Sequence, residues 1–215
     1  MLQFTDSERE RITKAVRQAE RGTQGEIVPM IVQASARYRE AGYRTGLILA
    51  WLTLALLLTV EAYWLPWGWH AGNAGWLLLT VVVAYGIGQW LGTVPTIVRL
   101  VTSRERMAHK VQLRAEQAFY RHGLHKTKGR TGILILVSLL ERRVQVLADK
   151  GINDLVPPGT WDGLVSGILD GIHTGHASDA LCAAISKCGT LLAQVSPTIP
   201  GNNADELPDD LIQEP

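Results

Sequence analysis

Asp149 and Asp154 bracket Gly151 just after a short β-patterned run, and Glu26 opens another such run much earlier in the chain. Carboxylates gathered at strand ends could hold a hard cation through oxygen ligands, calcium or magnesium rather than zinc. The same Asp-Lys-Gly sequence is also ordinary loop chemistry, in which the Asp caps a turn. A second group is cationic: Lys126, Lys128 and Arg130 crowd one stretch. They could bind phosphate, touch the anionic headgroups of a nearby lipid bilayer, or form a plain solvated loop. His122-x-x-His125 and His173-x-x-His176 have a spacing that one zinc could use, but neither pair has an evident third ligand. Surface or capping roles are expected for them. No P-loop, G-x-S-x-G, H-E-x-x-H or paired-cysteine motif occurs. No catalytic residue is assigned, and calcium or magnesium is the only cofactor these residues suggest.

Composition narrows the class of protein. Lys and Arg number 21 against 20 Asp and Glu, which excludes a strongly basic nucleic-acid binder. Those charges are unevenly spread. Between Thr45 and Val98 the only one is Glu61, and six of the seven Trp fall in the same gap. Gly46–Tyr63 and Ala74–Val98 are almost wholly apolar. As helices they would span roughly 27 and 37 Å, against a hydrocarbon core of about 30 Å. The remaining part of the chain, about 160 residues, is too small to surround two helices apolar on all sides. A transmembrane hairpin is therefore expected, with the lipid bilayer as its partner. Trp64, Trp67 and Trp69 between the spans fit an interfacial aromatic belt. Glu61 and His70 could form a proton or ion device, or simply sit at the interface. Gly88-x-x-x-Gly92 offers a close-packing face for the hairpin itself or for a second copy, so a homo-oligomer is open.

Arg37, Arg39 and Arg44 precede the first span, and Arg99, Arg104, Arg106, Lys110 and Arg114 follow the second. The connecting loop has no Lys or Arg, so both termini are expected in the cytoplasm of a two-span inner-membrane protein. Met1–Glu26 lacks the pattern of a cleavable signal peptide. Cys182 and Cys188 fall on different faces of a helical pattern, which disfavours a disulfide or a metal pair.

Certain elements must position these residues. Thr5-Asp6-Ser7-Glu8 has capping-box spacing, and Ile12, Ala15, Val16 and Ala19 recur at helical period up to Gly22. Glu26–Gln33 reads as a strand that Pro29 assigns to an edge or a bulge. Glu105–Arg121 reads as a helix. Thr131–Ser138 is apolar on both faces, as a central strand should be. Arg143–Ala148 alternates, completing a hairpin, and Asp149–Ile152 is its exit loop. Two helices follow, one from Trp161 to Ile172 and one from Leu181 to Leu192. The first two strands should pair in parallel and the third antiparallel. The chain thus divides into 1–43 and 99–195 as two parts of one domain, 44–98 as the hairpin, and 196–215 as a tail. With Asp205, Glu206, Asp209 and Asp210, that tail is expected to be solvated and mobile.

Several stretches are distinctive in combination: Gly25-Glu26-Ile27-Val28, Arg130-Thr131-Gly132-Ile133-Leu134-Ile135, Glu141-Arg142-Arg143-Val144, and Ala148-Asp149-Lys150-Gly151-Ile152. Together with Gly171-Ile172 and the final helix pair, they resemble the TPM domain family over roughly 5–33 and 105–193. That family includes a thylakoid-lumen phosphatase, a photosystem repair protein and a receptor-associated membrane protein. The resemblance implies an α/β fold, a TPM-like three-layer sandwich with a small mixed sheet, here interrupted by the two-helix transmembrane hairpin. It implies two functions. One is an interaction or quality-control module for membrane complexes, with membrane proteins as partners. The other is a divalent-metal-dependent phosphatase using Asp149, Glu26 and the basic loop. The chain departs from the family where soluble members often carry Asn-Gly, having Thr131-Gly132, and the Gly-rich exit of the third strand becomes Ala148-Asp149-Lys150-Gly151. Many members lie outside the cytoplasm. The lack of an organised nucleophile favours the interaction module.

Overall fold

The structure, a computed structural model, describes residues 4–21, 23–64, 73–127, 129–196, 207 and 209–214, without the side chains of 61–64 and 73. The expectations placed on Gly22, the side chains of Glu61 and Trp64, Trp67, Trp69, His70, Lys128, Asp205 and Glu206 lie outside the described residues. The chain divides into two units, Met1–Ala36 with Ala108–Pro215, and Arg37–Met107.

In the first unit, helix α1 (Asp6–Glu20) begins at a closed capping box. Glu8 N–H donates to Thr5 Oγ1 and Thr5 N–H donates to the Glu8 carboxylate, so two donors at the helix start are satisfied. Strand β1 (Glu26–Val32) follows. Helix α5 (Arg104–Arg121), most of which belongs to this unit, ends in a left-handed Gly123 and a single 3-10 turn, Leu124–Lys126. Then come β2 (Gly132–Ser138), β3 (Arg143–Ala148), a four-residue helix α6 (Lys150–Asn153), α7 (Thr160–Thr174) and α8 (Ala177–Val195). A final strand, β4, covers Ile212–Glu214.

The sheet order is β3-β2-β1-β4. β1 and β2 are parallel from Glu26↔Gly132 to Val32↔Ser138, and β3 returns antiparallel beside β2, as the hydrophobic patterns require. Every residue of β2 is buried because helices cover both of its faces. Ile27, Ile31, Ile133 and Ile135 pack under α1, α7 and α8. Val28, Met30, Leu134 and Leu136 pack against Val111, Ala115 and Phe119 of α5. The unit is an α/β sandwich of three layers with a mixed sheet.

Two expectations are corrected here. β1 is not an edge, because β4 pairs with it in parallel, Met30↔Ile212 to Val32↔Glu214. Pro29 is tolerated for a local reason. The N–H groups of Ile27 and Gln33 point away from β2, to Glu20 Oε1 and Glu214 O, and strand alternation puts the missing Pro29 donor on that same side. β4 starts one residue later, so no ladder bond is lost. The tail is also not wholly solvated. Ile212–Glu214 form that strand, Asp209 is held by Arg17, and Leu211 packs on the core. Two aliphatic residues in an acidic stretch gave the tail something to bury.

In the second unit, α2 (Arg39–Trp64) and α3 (Asn73–Leu91) are long and apolar enough to cross a membrane, and only 11% of each apolar span is buried. Trp51, Trp76 and Trp90 are each about 70% exposed, so this chain does not bury the two helices as a core. The second apolar stretch is not one helix to Val98. It stops at Leu91, and Pro95, which fits only the first turn of a helix, opens α4 (Pro95–Val101). The Gly88-x-x-x-Gly92 face is taken by the hairpin itself. A Cβ on Gly92 would stand 2.5 Å from Gly42 Cα, and one on Gly88 2.8 Å from Gly46 Cα.

The central strand generates a test. Ile135 is fully buried in the middle of β2, so Ile135→Asp places an uncompensated carboxylate in the core. The penalty is several kcal/mol against a total stability of about 5–15 kcal/mol. The variant should lose its cooperative melting transition in circular dichroism; an unchanged transition would show that Ile135 does not lie at the centre of the sheet.

Candidate functional site

Glu26, Gly132 and Asp149 line one end of the sheet. Glu26 faces Gly132 across the parallel ladder, and Asp149 N–H donates to Gly132 O at 2.9 Å. β1 and β3 flank β2 on opposite sides, so the backbones bearing Glu26 and Asp149 are about 10 Å apart, twice the strand spacing. Both residues are buried.

Asp149 is committed to its neighbours. It is the N-cap of α6, with Oδ1 accepting from Lys150 N–H at 2.7 Å. It also accepts from Arg130, whose Nη2 lies 3.0 Å from Oδ1 and whose Nε lies 3.3 Å from both oxygens. The Asp149 carboxylate strengthens the hold of the Arg130 guanidinium on its proton. Arg130 has φ +52°, an unusual conformation for a non-glycine residue, and its loop is fastened beside it. Thr131 N–H donates to Thr127 Oγ1 and Thr131 Oγ1 to Gln24 O. Gly151 sits directly on this loop, where a Cβ would stand 2.6 Å from the carbonyl oxygens of Gly129 and Arg130. The Arg130-Thr131-Gly132 and Asp149-Lys150-Gly151 stretches therefore form one clamp.

The remaining candidates do not join it. Asp154 caps the far end of α6 and is exposed. Lys126 is exposed in its 3-10 turn, and Lys128 is outside the described residues. Among the described residues no three His, Cys, Asp or Glu side chains converge as metal ligands. The histidine pairs do not close on a common point. His122 Nε2 is 4.0 Å from Glu214, His125 tilts against the Tyr120 ring at 5.1 Å, and His173 and His176 are exposed. Burial pushes the Cys188 thiol up to about 12 and raises Cys182, which leaves neither as a ready thiolate.

Two polar clusters escaped the sequence. At the carboxyl ends of β1 and β2, Glu141 accepts from Ser35 N–H at 3.0 Å and from Ser138 Oγ, and the two serine hydroxyls are 2.7 Å apart. α/β sheets often place ligands at such strand ends. Ser138 is only 1% exposed, however, so its hydroxyl fastens the turn and cannot meet a substrate. At the opposite end of β1, Glu20 Oε1 accepts from Ile27 N–H at 2.7 Å, and its carboxyl meets that of Asp209. Burial pushes the Glu20 carboxyl up to about 9, with the charges of Glu26 and Asp209 adding to the rise against the Ile27 N–H. The spacing of three acids on separate elements is invisible before they pack.

Two tests arise. Asp149→Ala should lower the unfolding free energy in urea by about 0.5–2 kcal/mol through the lost cap, and Asp149→Asn by less, because the amide retains a capping oxygen. An Asp149→Ala variant as stable as the wild type would remove the clamp. Glu20 has a folded value raised above its ordinary 4.5, so its contribution is fully present below pH 4.5 and is lost as pH rises through about 9. The melting temperature should fall across that window, and Glu20→Gln, which cannot ionise, should flatten the fall. Parallel melting curves for the two proteins would assign the pH dependence elsewhere.

Residues 93–191 match the family model described as TPM domain. No protein with a curated description matches the chain. Among solved structures, the NMR structure of the BA42 protein from the psychrophilic bacterium Bizionia argentinensis is similar, with 21% identity and a TM-score of 0.59 over 98% of this chain and 95% of that one. At that identity the likeness concerns the fold. Residues 93–191 are thus similar to a TPM domain, and the chain is similar in fold to BA42.

Proposed function

We propose that this chain is a membrane-anchored TPM-domain protein of the cell inner membrane, whose domain serves as an interaction or quality-control module for membrane complexes. Its hairpin crosses the bilayer twice and both termini face the cytoplasm, where the basic residues flanking α2 and α4 meet anionic headgroups. The observation that carries the module reading is the Arg130–Asp149 clamp. The best carboxylate and the best cation of the sequence are paired with each other, and the carboxylate also caps α6. The exposed apolar surfaces of α2 and α3 support the anchor.

The matching family model also bears the word phosphatase in its name, which favours a second reading, a divalent-metal-dependent phosphatase. That reading needs Asp149 freed from Arg130 and joined by Glu26 or Asp154 around calcium or magnesium. Melting of the detergent-solubilised protein separates the two. A metal-binding site would raise the melting temperature with the logarithm of cation concentration. The module reading expects no such rise up to millimolar calcium or magnesium and no hydrolysis of p-nitrophenyl phosphate. A cation-dependent rise, or turnover that Asp149→Asn abolishes, would replace it by the phosphatase. For topology, reporters at residue 40 and after residue 200 should read cytoplasm and a tag at Gly72 the outside. A periplasmic signal at either end would overturn the orientation.

A further inference from the structure

β4 is a three-residue strand that completes an otherwise open sheet edge, and its contacts are of two kinds. Side chains alternate across it. Leu211 packs on the α1 side of the sheet and Ile212 on the α5 side. The polar residues follow the same division. Toward α1, Asp209 accepts from Arg17 Nε at 2.8 Å and Gln213 from Arg9 at 2.9 Å. Toward α5, Glu214 accepts from Arg114 and, at 3.3 Å, from Arg121. The β1 edge is thus a groove with a backbone ladder at its floor, an aliphatic seat on each side and arginines along both rims.

The α5 rim holds more polar nitrogens than one carboxylate reaches. Arg114 Nε and His122 Nε2 are buried with no hydrogen-bond partner among the described residues, beside Glu214. The stretch of chain ahead of it starts and ends at one place. Ser196 O accepts from Gln24 N–H and Thr23 Oγ1, and Asp209 meets Glu20, so both ends of 197–208 are fixed beside the same 20–24 stretch. A linker of that length reaches up to about 40 Å. Three rungs of ladder on one strand is the short end of what a strand can be.

We propose that the outer edge of β1, between α1 and α5, is a binding site for an extended acidic peptide segment of a partner protein, and that residues 209–214 are its built-in competitor. The ligand carries an acid before two adjacent aliphatic residues and another acid two residues after them, as Asp209, Leu211, Ile212 and Glu214 do. It adds to the sheet as a parallel strand, the main chain giving affinity and the two arginine rims giving selectivity. The tail keeps the edge from indiscriminate pairing until such a segment displaces it. This deepens the interaction-module reading by naming a partner chemistry. A failed topology experiment would leave it standing, and its own failure would leave the membrane anchor untouched.

The test uses the full chain in detergent and a fluorescein-labelled peptide of residues 207–214. In an Asp209→Arg, Glu214→Arg double variant the tail is repelled by both rims and the edge is open. The peptide should bind that variant saturably and at least tenfold more tightly than the wild type, and a scrambled peptide should not. Binding to neither protein, or equal binding to both, overturns the proposal. A wild-type dimer that the peptide dissociates would reassign the edge to a second copy. Should the double variant lose its melting transition, hydrogen exchange on the wild type decides. The Ile31 and Gln33 amides, which face β4, should exchange faster than those of Val28 and Val32, which face β2, and added peptide should slow them. Exchange of all four only through global unfolding would show β4 to be a fixed strand and end the proposal.

Discussion

Two parallel strands cannot be joined by a tight turn, and the rest of this structure follows from that. β1 and β2 share seven rungs of parallel ladder, so the chain must leave the end of β1 and return to the start of β2 by a crossover. Here the crossover carries α5, which covers one face of the sheet, and ahead of it an apolar unit of three helices. That unit asks little of the sheet. Arg106 pairs with Glu40, and Arg44 donates to Val101 O, so the unit's entry and exit are tied together. A segment whose ends meet can be lodged in a crossover without changing the register on either side.

The seam of the hairpin obeys a different rule from the sandwich. In the sandwich, large aliphatic side chains from both faces of β2 meet helices, and burial of apolar surface drives the packing. Between α2 and α3 the contact is glycine on glycine, with backbones close enough that no Cβ fits at Gly88 or Gly92. Close backbone approach of this kind would suit a lipid surround, where a leucine gains nothing by leaving the solvent. The same chain thus uses two packing chemistries, and the boundary between them is the boundary between its two compositions.

What could be read in advance was whatever depends on near neighbours in sequence. The Thr5 capping box, the doubly apolar β2, the alternating β3 and the apolar gap from Thr45 to Val98 each announce themselves within a few residues. Pro29 was legible as a missing donor, but the side on which it is missing depends on β4, which arrives from far along the chain. The same holds at the candidate site. Asp149 was legible as a cap or a ligand, and only the fold of the 127–131 loop, with Arg130 in a left-handed turn, decides which partner it meets. Lys126 and Asp154 lie exposed and outside the clamp. Local spacing says what a side chain can do, and long-range packing decides what it touches.

That distinction bears on the proposal of an interaction module. A catalytic carboxylate must keep an oxygen for the reaction, and a phosphate-binding cation must keep a donor for the ligand. Asp149 instead meets Arg130 through one Nη2 contact and two Nε contacts, and its second function, capping α6, fixes its rotamer, while the Arg130 side chain stays 61% exposed. Gly151 then packs on the carbonyls of Gly129 and Arg130 so closely that the loop and α6 behave as one piece. At this end of the sheet the carboxylates of Glu26 and Asp149 are buried. At the β4 edge arginines on two helices meet an acidic strand, and Arg114 Nε on α5 and His122 Nε2 just past it have no hydrogen-bond partner among the described residues. Polar groups locked between a loop and a helix make a scaffold, and polar groups that meet only a three-residue edge strand are those a competing strand could take over.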